Sequence, residues 1–258
     1  MKKYQLDFEV KENNHLAEGY HQLLLSPIDV ELPEMYPGQF VNILVPDSKT
    51  TFLRRPISVN MADYDRGLLS LVVKEVGEGT RHLCDMKCGE KLNIIVPLGH
   101  GFTVDFEAGA DLLLVGGGVG AAPLLYLSKV LSDRNCNVRV LIGARKSSDL
   151  TQLEDFSRYA KVEVTTEDGS AGVKGFVTHH PWLQDCKADM IMCCGPMPMM
   201  KSVARVATES GVKCEVSLEN SMACGVGACL CCVEKTTEGH QCVCTSGPVF
   251  DIKHLENF

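Results

Sequence analysis

Six cysteines fall between Cys224 and Cys244, in a stretch rich in glycine and poor in large apolar residues. Such a segment cannot bury enough surface to order itself, so it needs a staple, and a metal centre is the natural one. The chain carries thirteen cysteines, an odd number, and Met1 to Val10 alternates apolar and charged residues without a signal-peptide core. Both features argue against a disulfide framework. The remaining seven, Cys84, Cys88, Cys136, Cys186, Cys193, Cys194 and Cys214, are scattered and read as small buried hydrophobes.

In the crowded stretch, Cys224, Cys229 and Cys232 have the spacing C-x4-C-x2-C, with Cys242 or Cys244 as the distal partner. Plant-type ferredoxins hold a [2Fe–2S] cluster on this spacing, four thiolates converging on two irons from a wrapped loop. Gly225 and Gly227 permit the tight turns that loop needs and let backbone amides approach the sulfurs. A zinc site on Cys229 and Cys232 with a distal pair is the competing reading. Spacing alone leaves the fourth ligand open between Cys242 and Cys244.

The rest of the chain changes texture once more. From Tyr4 to Pro97 short strands alternate with Gly or Pro breaks: Tyr4–Lys11, Tyr20–Ser26, Phe40–Val45, Leu68–Lys74 and Lys91–Val96. That pattern predicts a small antiparallel barrel, with a short helix over Thr80–Met86. From Asp111 strands and helices alternate, predicting a parallel sheet covered on both faces. The expected strands are Asp111–Val115, Asn137–Ala144, Lys161–Thr166, Asp189–Cys194 and Glu215–Glu219. The expected helices follow Leu124, Leu127 and Leu131, then span Ser147–Arg158 and Met197–Ser210. A net charge of −8 without a basic run argues against nucleic acid as a partner, and no apolar run reaches membrane-spanning length. A cytoplasmic protein is expected.

Two further motifs carry chemistry. Arg54-Arg55-Pro56-Ile57-Ser58 at a strand start offers a cation and a hydroxyl to a flavin pyrophosphate, and Gly79-Thr80 opens a helix whose free amides suit a phosphate. Val115-Gly116-Gly117-Gly118-Val119-Gly120-Ala121-Ala122-Pro123 leaves a strand and enters a helix. Gly118 and Gly120 match the first two glycines of the dinucleotide fingerprint, with Pro123 in place of the third. Cys194-Gly195-Pro196 ends a later strand, where a nicotinamide would pass.

R-P-x-S, G-x-G-x-x-P and C-G-P in that order resemble the ferredoxin reductase-type flavoproteins. The C-terminal cysteine pattern with Cys244-Thr-Ser-Gly-Pro-Val-Phe is narrower, and it resembles the electron-transfer subunits of NAD-dependent dihydroorotate dehydrogenase, type B. Gly143-Ala144-Arg145 and Thr166 to Ser170 fit the same likeness. It implies a six-stranded FAD-binding barrel over 1–101, a doubly wound NAD-binding α/β domain over 102–213 and a [2Fe–2S] segment over 214–258. Arg55, Pro56, Ile57 and Ser58 would bind FAD, together with Val72, Val73, Lys74, Gly79 and Thr80. Gly118, Gly120 and Pro123 would hold the nicotinamide nucleotide, and Cys194 would face its ring as a catalytic residue. The family's last cluster ligand stands two residues before Gly-Pro-Val-Phe, which selects Cys244 beside Cys224, Cys229 and Cys232. Cys231 and Cys242 are then extra. Arg145 could favour a 2′-phosphate, but the likeness implies NAD.

The implied role is an electron conduit between NAD and the FMN of a catalytic partner subunit, which oxidises dihydroorotate in pyrimidine synthesis. The implied assembly is a heterotetramer with two subunits of each kind. An electron-transfer subunit of a sulfite reductase, hydrogenase or transhydrogenase-type complex is the nearest alternative. A non-enzymatic zinc-binding or redox-sensing protein is a more distant one.

Overall fold

The computed structural model describes residues 2–258. The first six strands are β1 (Tyr4–Ala17), β2 (Tyr20–Pro27), β3 (Phe40–Ile43), β4 (Arg55–Asp63), β5 (Leu68–Lys74) and β6 (Lys91–Leu98). They close into an antiparallel barrel in the order β1-β2-β5-β4-β3-β6. Period-two alternation directs the packing: Leu69, Leu71 and Val73 of β5 point into the barrel with Phe8, Leu23, Ile43 and Ile94. Helix α1 (Glu78–Cys84) adds Leu83 and Cys84 to that core.

The second layer comprises β7 (Asp111–Gly117), α2 (Ala122–Asp133), β8 (Asn137–Ala144), α3 (Leu153–Ser157), β9 (Lys161–Thr166), β10 (Val173–Lys174), α4 (Pro181–Gln184), β11 (Met190–Cys194), α5 (Met197–Ser210) and β12 (Lys213–Ser217). The sheet runs β10-β9-β8-β7-β11-β12 in parallel, and strand β15 (Val249–Asp251) adds an antiparallel edge beside β12. Strand order reverses between β7 and β11, so their carboxyl ends frame a crevice, the usual ligand site of such sheets. Among the described residues no helix is long and apolar enough to cross a membrane.

The expected helix over Ser147–Arg158 does not form as one piece. A turn of 3-10 helix covers Ser147–Asp149, and Gln152 then takes a left-handed conformation (φ 58°) that restarts the chain as α3. The Gln152 side chain hydrogen-bonds Asn60 of the barrel at 3.0 Å, so tertiary contact overrides the helical pattern. The expected strand Glu215–Glu219 is shifted, ending at Ser217.

The tail is more regular than its composition suggests. A hairpin of β13 (Val233–Thr236) and β14 (Gly239–Cys242) leads to a helical turn α6 (Val243–Ser246). Residues 218–248 are thus an excursion between two paired strands, with Ser217 opposite Val249. Cys232, Val243 and Cys244 from the excursion pack with Leu98 and Val216 in a core shared with the barrel edge and the sheet.

Barrel and sheet are joined through α2. Asn60 Nδ2 donates to Ala122 O at 2.8 Å, and the Tyr126 hydroxyl donates to Met35 O at 3.0 Å. Tyr20, Val72 and Ala122 pack together at the seam.

Candidate functional site

Two cavities meet at that seam. The first has a volume of about 440 Å³. Its barrel wall is Arg54 to Ser58 with Val72, Lys74 and Thr80, and its opposite wall is Ser217 to Met222 with Val119 and Ala122. Arg55, Pro56, Ile57 and Ser58 all line it. Val72 and Lys74 do too, whereas Val73 points into the barrel core and can offer a ligand its backbone alone.

The two arginines have different partners. Arg54 Nη1 and Nη2 donate to Asn93 O and Oδ1 at 2.9 and 2.6 Å, which fixes that side chain against β6. Arg55 donates to two carbonyls of its own loop and has no carboxylate partner among the described residues. Its charge is available to an anion. A Cβ on Gly79 would lie 2.8 Å from Arg55 Nε, so glycine there lets the helix start approach the guanidinium. The Thr80 hydroxyl is engaged with Gly77 O and the amides of Val76 and Gly77, leaving the first-turn amides of Gly79 and Thr80 without intrahelical acceptors. A cation beside free amides fits the pyrophosphate of a flavin dinucleotide.

The second cavity, about 910 Å³, shares Lys74 with the first. The glycine-rich loop divides them: Gly117 and Gly118 face the second cavity, Val119 and Ala122 the first. Lys74 Nζ sits 4.8 Å from the centre of the Tyr20 ring at this junction. At the far end the second cavity is lined by Arg145, Lys146, Thr165, Glu167 and Asp168. The Ser170 hydroxyl and amide both donate to Asp168 and hold its carboxyl below the usual range.

Gly118 lines this cavity with φ 54°. Gly120 has a different place: its added Cβ would lie 2.5 Å from Gly195 Cα and 2.6 Å from Cys194 O, so the loop packs directly on the end of β11. Pro123 is buried in the first turn of α2. Cys194 is 1% exposed and lines neither cavity. Burial pushes its thiol far up, against a contact with the Ser217 hydroxyl that lowers it.

In the excursion, Gly225 and Gly227 take φ values of 71° and 86°. They turn three amides onto one sulfur: Val226, Ala228 and Cys229 N–H donate to Cys224 Sγ at 3.4, 3.3 and 3.4 Å. Burial raises the Cys224 thiol, but these bonds outweigh it and bring the pKa to about 6. The Cys224 amide donates to Cys229 Sγ at 3.5 Å and the Cys244 amide to Cys232 Sγ at 3.4 Å. Among the described residues no amide reaches the sulfur of Cys231 or Cys242, although Cys242 lies beside Cys232. Amides aimed at sulfur stabilise thiolates and are the usual setting of an iron–sulfur cluster. Among the described residues no three cysteine, histidine or carboxylate side chains converge on a single-ion site. Asn42 of β3 ties the loop to the barrel, its Nδ2 donating to Cys224 O at 3.2 Å.

Sequence reasoning missed the wall formed by Glu219, Asn220, Ser221 and Met222. Their one signal was position, just beyond the carboxyl end of a parallel strand. It also missed Tyr20 and Glu18 at the second cavity.

Comparison with known proteins adds to this geometry. A model of the iron-sulfur cluster binding domain of dihydroorotate dehydrogenase B matches residues 219–256. A model of the oxidoreductase NAD-binding domain matches residues 114–205. The chain is 37% identical to a dihydroorotate dehydrogenase B (NAD(+)) electron transfer subunit from Bacillus velezensis, covering 99% of each protein. It is 34% identical to the equivalently named protein of Fusobacterium nucleatum, covering 97% of this chain and 98% of that one. Among solved structures, an NADH-dependent reduced ferredoxin-NADP oxidoreductase studied for flavin-based electron bifurcation superposes with a TM-score of 0.87 and 31% identity, over 97% of this chain and 90% of that one. The flavohem-like FAD/NAD binding domain of a Vibrio cholerae nitric oxide dioxygenase shares the fold, with a TM-score of 0.70 and 21% identity over 82% of this chain and 98% of that one.

Proposed function

The chain belongs to the electron-transfer subunits of dihydroorotate dehydrogenase B, and from that premise we propose how its residues divide the work. The subunit is an oxidoreductase that uses FAD, a [2Fe–2S] cluster and NAD, and it works with a catalytic partner subunit. The observation that carries the assignment of residues is the shared wall. Ser217 to Met222 line the first cavity and lead within two residues to Cys224, so a flavin held there would be next to the cluster loop.

FAD would be held in the first cavity by Arg55, the amides of Gly79 and Thr80, Pro56, Ile57, Ser58, Val72, the backbone of Val73 and Lys74. NAD would be held in the second, with Gly118 and Lys74 on its wall and Pro123 shaping the turn into α2 from behind. Gly120 and Cys194 hold the two loops together at the junction of the cavities. Cys194, buried and lining neither cavity, would act only through its carbonyl, against which the Gly120 loop packs. Cys224, Cys229, Cys232 and Cys244 hold the cluster. FAD supplies the exchange between hydride and single electrons, since a flavin carries one or two and the cluster one. The partner carries FMN, in an assembly of two subunits of each kind.

Protein purified without oxygen should contain flavin, iron and sulfide, and NADH should bleach the flavin and raise a cluster EPR signal. Dihydroorotate should do the same only when the partner is present. A colourless protein with stoichiometric zinc and no flavin would sink this reading.

Two substitutions separate the arginines. Arg55→Ala should weaken FAD binding by about tenfold to about a hundredfold, the worth of a charge-assisted contact to phosphate. Arg54→Ala should chiefly lower the melting temperature, by removing the bonds to Asn93. Flavin titration and thermal melting read the two effects.

NADH should reduce the flavin at least about tenfold faster than NADPH. The carboxylates of Glu167 and Asp168 at the far end of the cavity repel a 2′-phosphate, and they oppose the attraction of Arg145. Stopped-flow absorbance with each nucleotide decides it.

A further inference from the structure

A tyrosine in a protein interior usually has its hydroxyl paired, because an unpaired phenol oxygen out of water costs stability. Among the described residues two tyrosines are buried, Tyr20 at 4% exposure and Tyr126 at 6%. The Tyr126 hydroxyl donates to Met35 O at 3.0 Å. The Tyr20 hydroxyl has no hydrogen-bond partner among the described residues, and Tyr20 lines the second cavity.

The ring of Tyr20 accounts for its burial. It packs with Val72 of the barrel and with Val119 and Ala122 beyond the glycine-rich loop. Lys74 Nζ stands 4.8 Å from its centre, and a cation held at the face of a phenol makes the hydroxyl a better donor. The hydroxyl end reaches the loop itself. A Cβ built on Gly118 would have the Tyr20 hydroxyl 3.7 Å away and would meet nothing else within 4 Å. Gly118 therefore leaves its backbone open on the cavity side, and the phenol stands beside that opening. Gly118 lines the cavity from the nucleotide domain and Tyr20 lines it from the barrel. Glu18 of the same barrel hairpin lies 3.9 Å from Lys146, but both side chains are largely in solvent and that pair contributes little.

Open backbone on a glycine loop is what a pyrophosphate uses, since its oxygens take N–H groups with no side chain between. A free hydroxyl beside that backbone adds a donor where the ligand carries negative charge. We propose that Tyr20 donates its hydroxyl to the pyrophosphate of the nicotinamide dinucleotide, so that the barrel binds NAD together with the α/β domain. This deepens the reading above and rests on NAD lying in the second cavity. The dinucleotide then bridges the two domains at the seam where the flavin cavity begins.

The test uses the full chain with FAD and cluster in place and oxidised, as wild type and Tyr20→Phe. Each protein is titrated in a calorimeter with NAD, with ADP-ribose and with adenosine. ADP-ribose keeps the pyrophosphate and lacks the nicotinamide, and adenosine has no phosphate. Tyr20→Phe should weaken NAD and ADP-ribose by the same factor, roughly tenfold to a hundredfold, the range for a hydrogen bond to a charged group. Adenosine should bind both proteins alike. FAD content and melting temperature should match the wild type, because phenylalanine keeps the packing of the ring. Four results would overturn the proposal: unchanged affinity for NAD, a loss for NAD that ADP-ribose does not share, a loss shared by adenosine, or a loss that comes with released FAD or a lower melting temperature. Wild-type protein that binds neither NAD nor ADP-ribose would overturn the reading of the second cavity instead.

Discussion

Cys244→Ser should abolish the visible and EPR signals of the cluster, whereas Cys242→Ser should leave them in place. The two residues are separated by one position and both come near Cys232, so proximity does not choose between them. The difference lies in their surroundings. Cys244 is fully buried, and its own amide donates to Cys232 Sγ at 3.4 Å. Burial and Cys232 push the Cys244 thiol up to about 12 in the absence of a positive charge, so cluster irons would draw off its proton on binding. Cys242 ends the hairpin and is partly exposed. Serine at 244 would leave one iron a ligand short. NADH should still bleach FAD in both variants, because Arg55 and the nucleotide loop stand apart from the excursion. Loss of the cluster in Cys242→Ser, with its retention in Cys244→Ser, would reverse the assignment.

Gly120→Ala should have the next largest effect, and on a different part of the cycle. The added methyl would lie 2.5 to 2.6 Å from Gly195 Cα, Gly195 N and Cys194 O. All three are backbone atoms, so no side-chain rotation relieves the clash. The nucleotide loop must then move away from β11, at a cost of about 3 kcal/mol in stability. That movement opens the seam between the cavities, and reduction of the flavin by NADH should fall by more than about tenfold. Gly77→Ala is the control, since its methyl meets nothing within 4 Å. Melting curves and stopped-flow reduction of both variants measure the contrast. Equal effects would mean that the close approach at Gly120 carries no special role.

The barrel was legible because half-buried strands carry their own period. Leu69, Leu71 and Val73 face the core, while Val72 and Lys74 face the ligand side. The same period could have shown that Val73 offers no side chain to the flavin. The parallel sheet was legible from continuous apolar runs such as Leu112 to Val115. The helix over Ser147–Arg158 misled because its interruption is tertiary: Gln152 turns left-handed to meet Asn60, a partner far away in sequence. The fingerprint was recognisable, but the separate task of Gly120 was not, because it depends on where β11 ends. The wall from Glu219 to Met222 was invisible for a related reason. A short loop segment has no period, and its place comes from the cavity assembled around it.

The pairing of β12 with β15 bears on how the subunit matures. Both ends of the 218–248 excursion are fastened by strands that belong to the sheet, with Glu215 opposite Asp251 and Ser217 opposite Val249. The entropy of bringing those ends together is therefore met by folding of the sheet and not by iron. The barrel and nucleotide domain thus set the two ends of the cysteine loop at a fixed address without the help of the cluster. Stripping the iron with a chelator should accordingly leave the circular dichroism and the flavin of the remaining molecule in place.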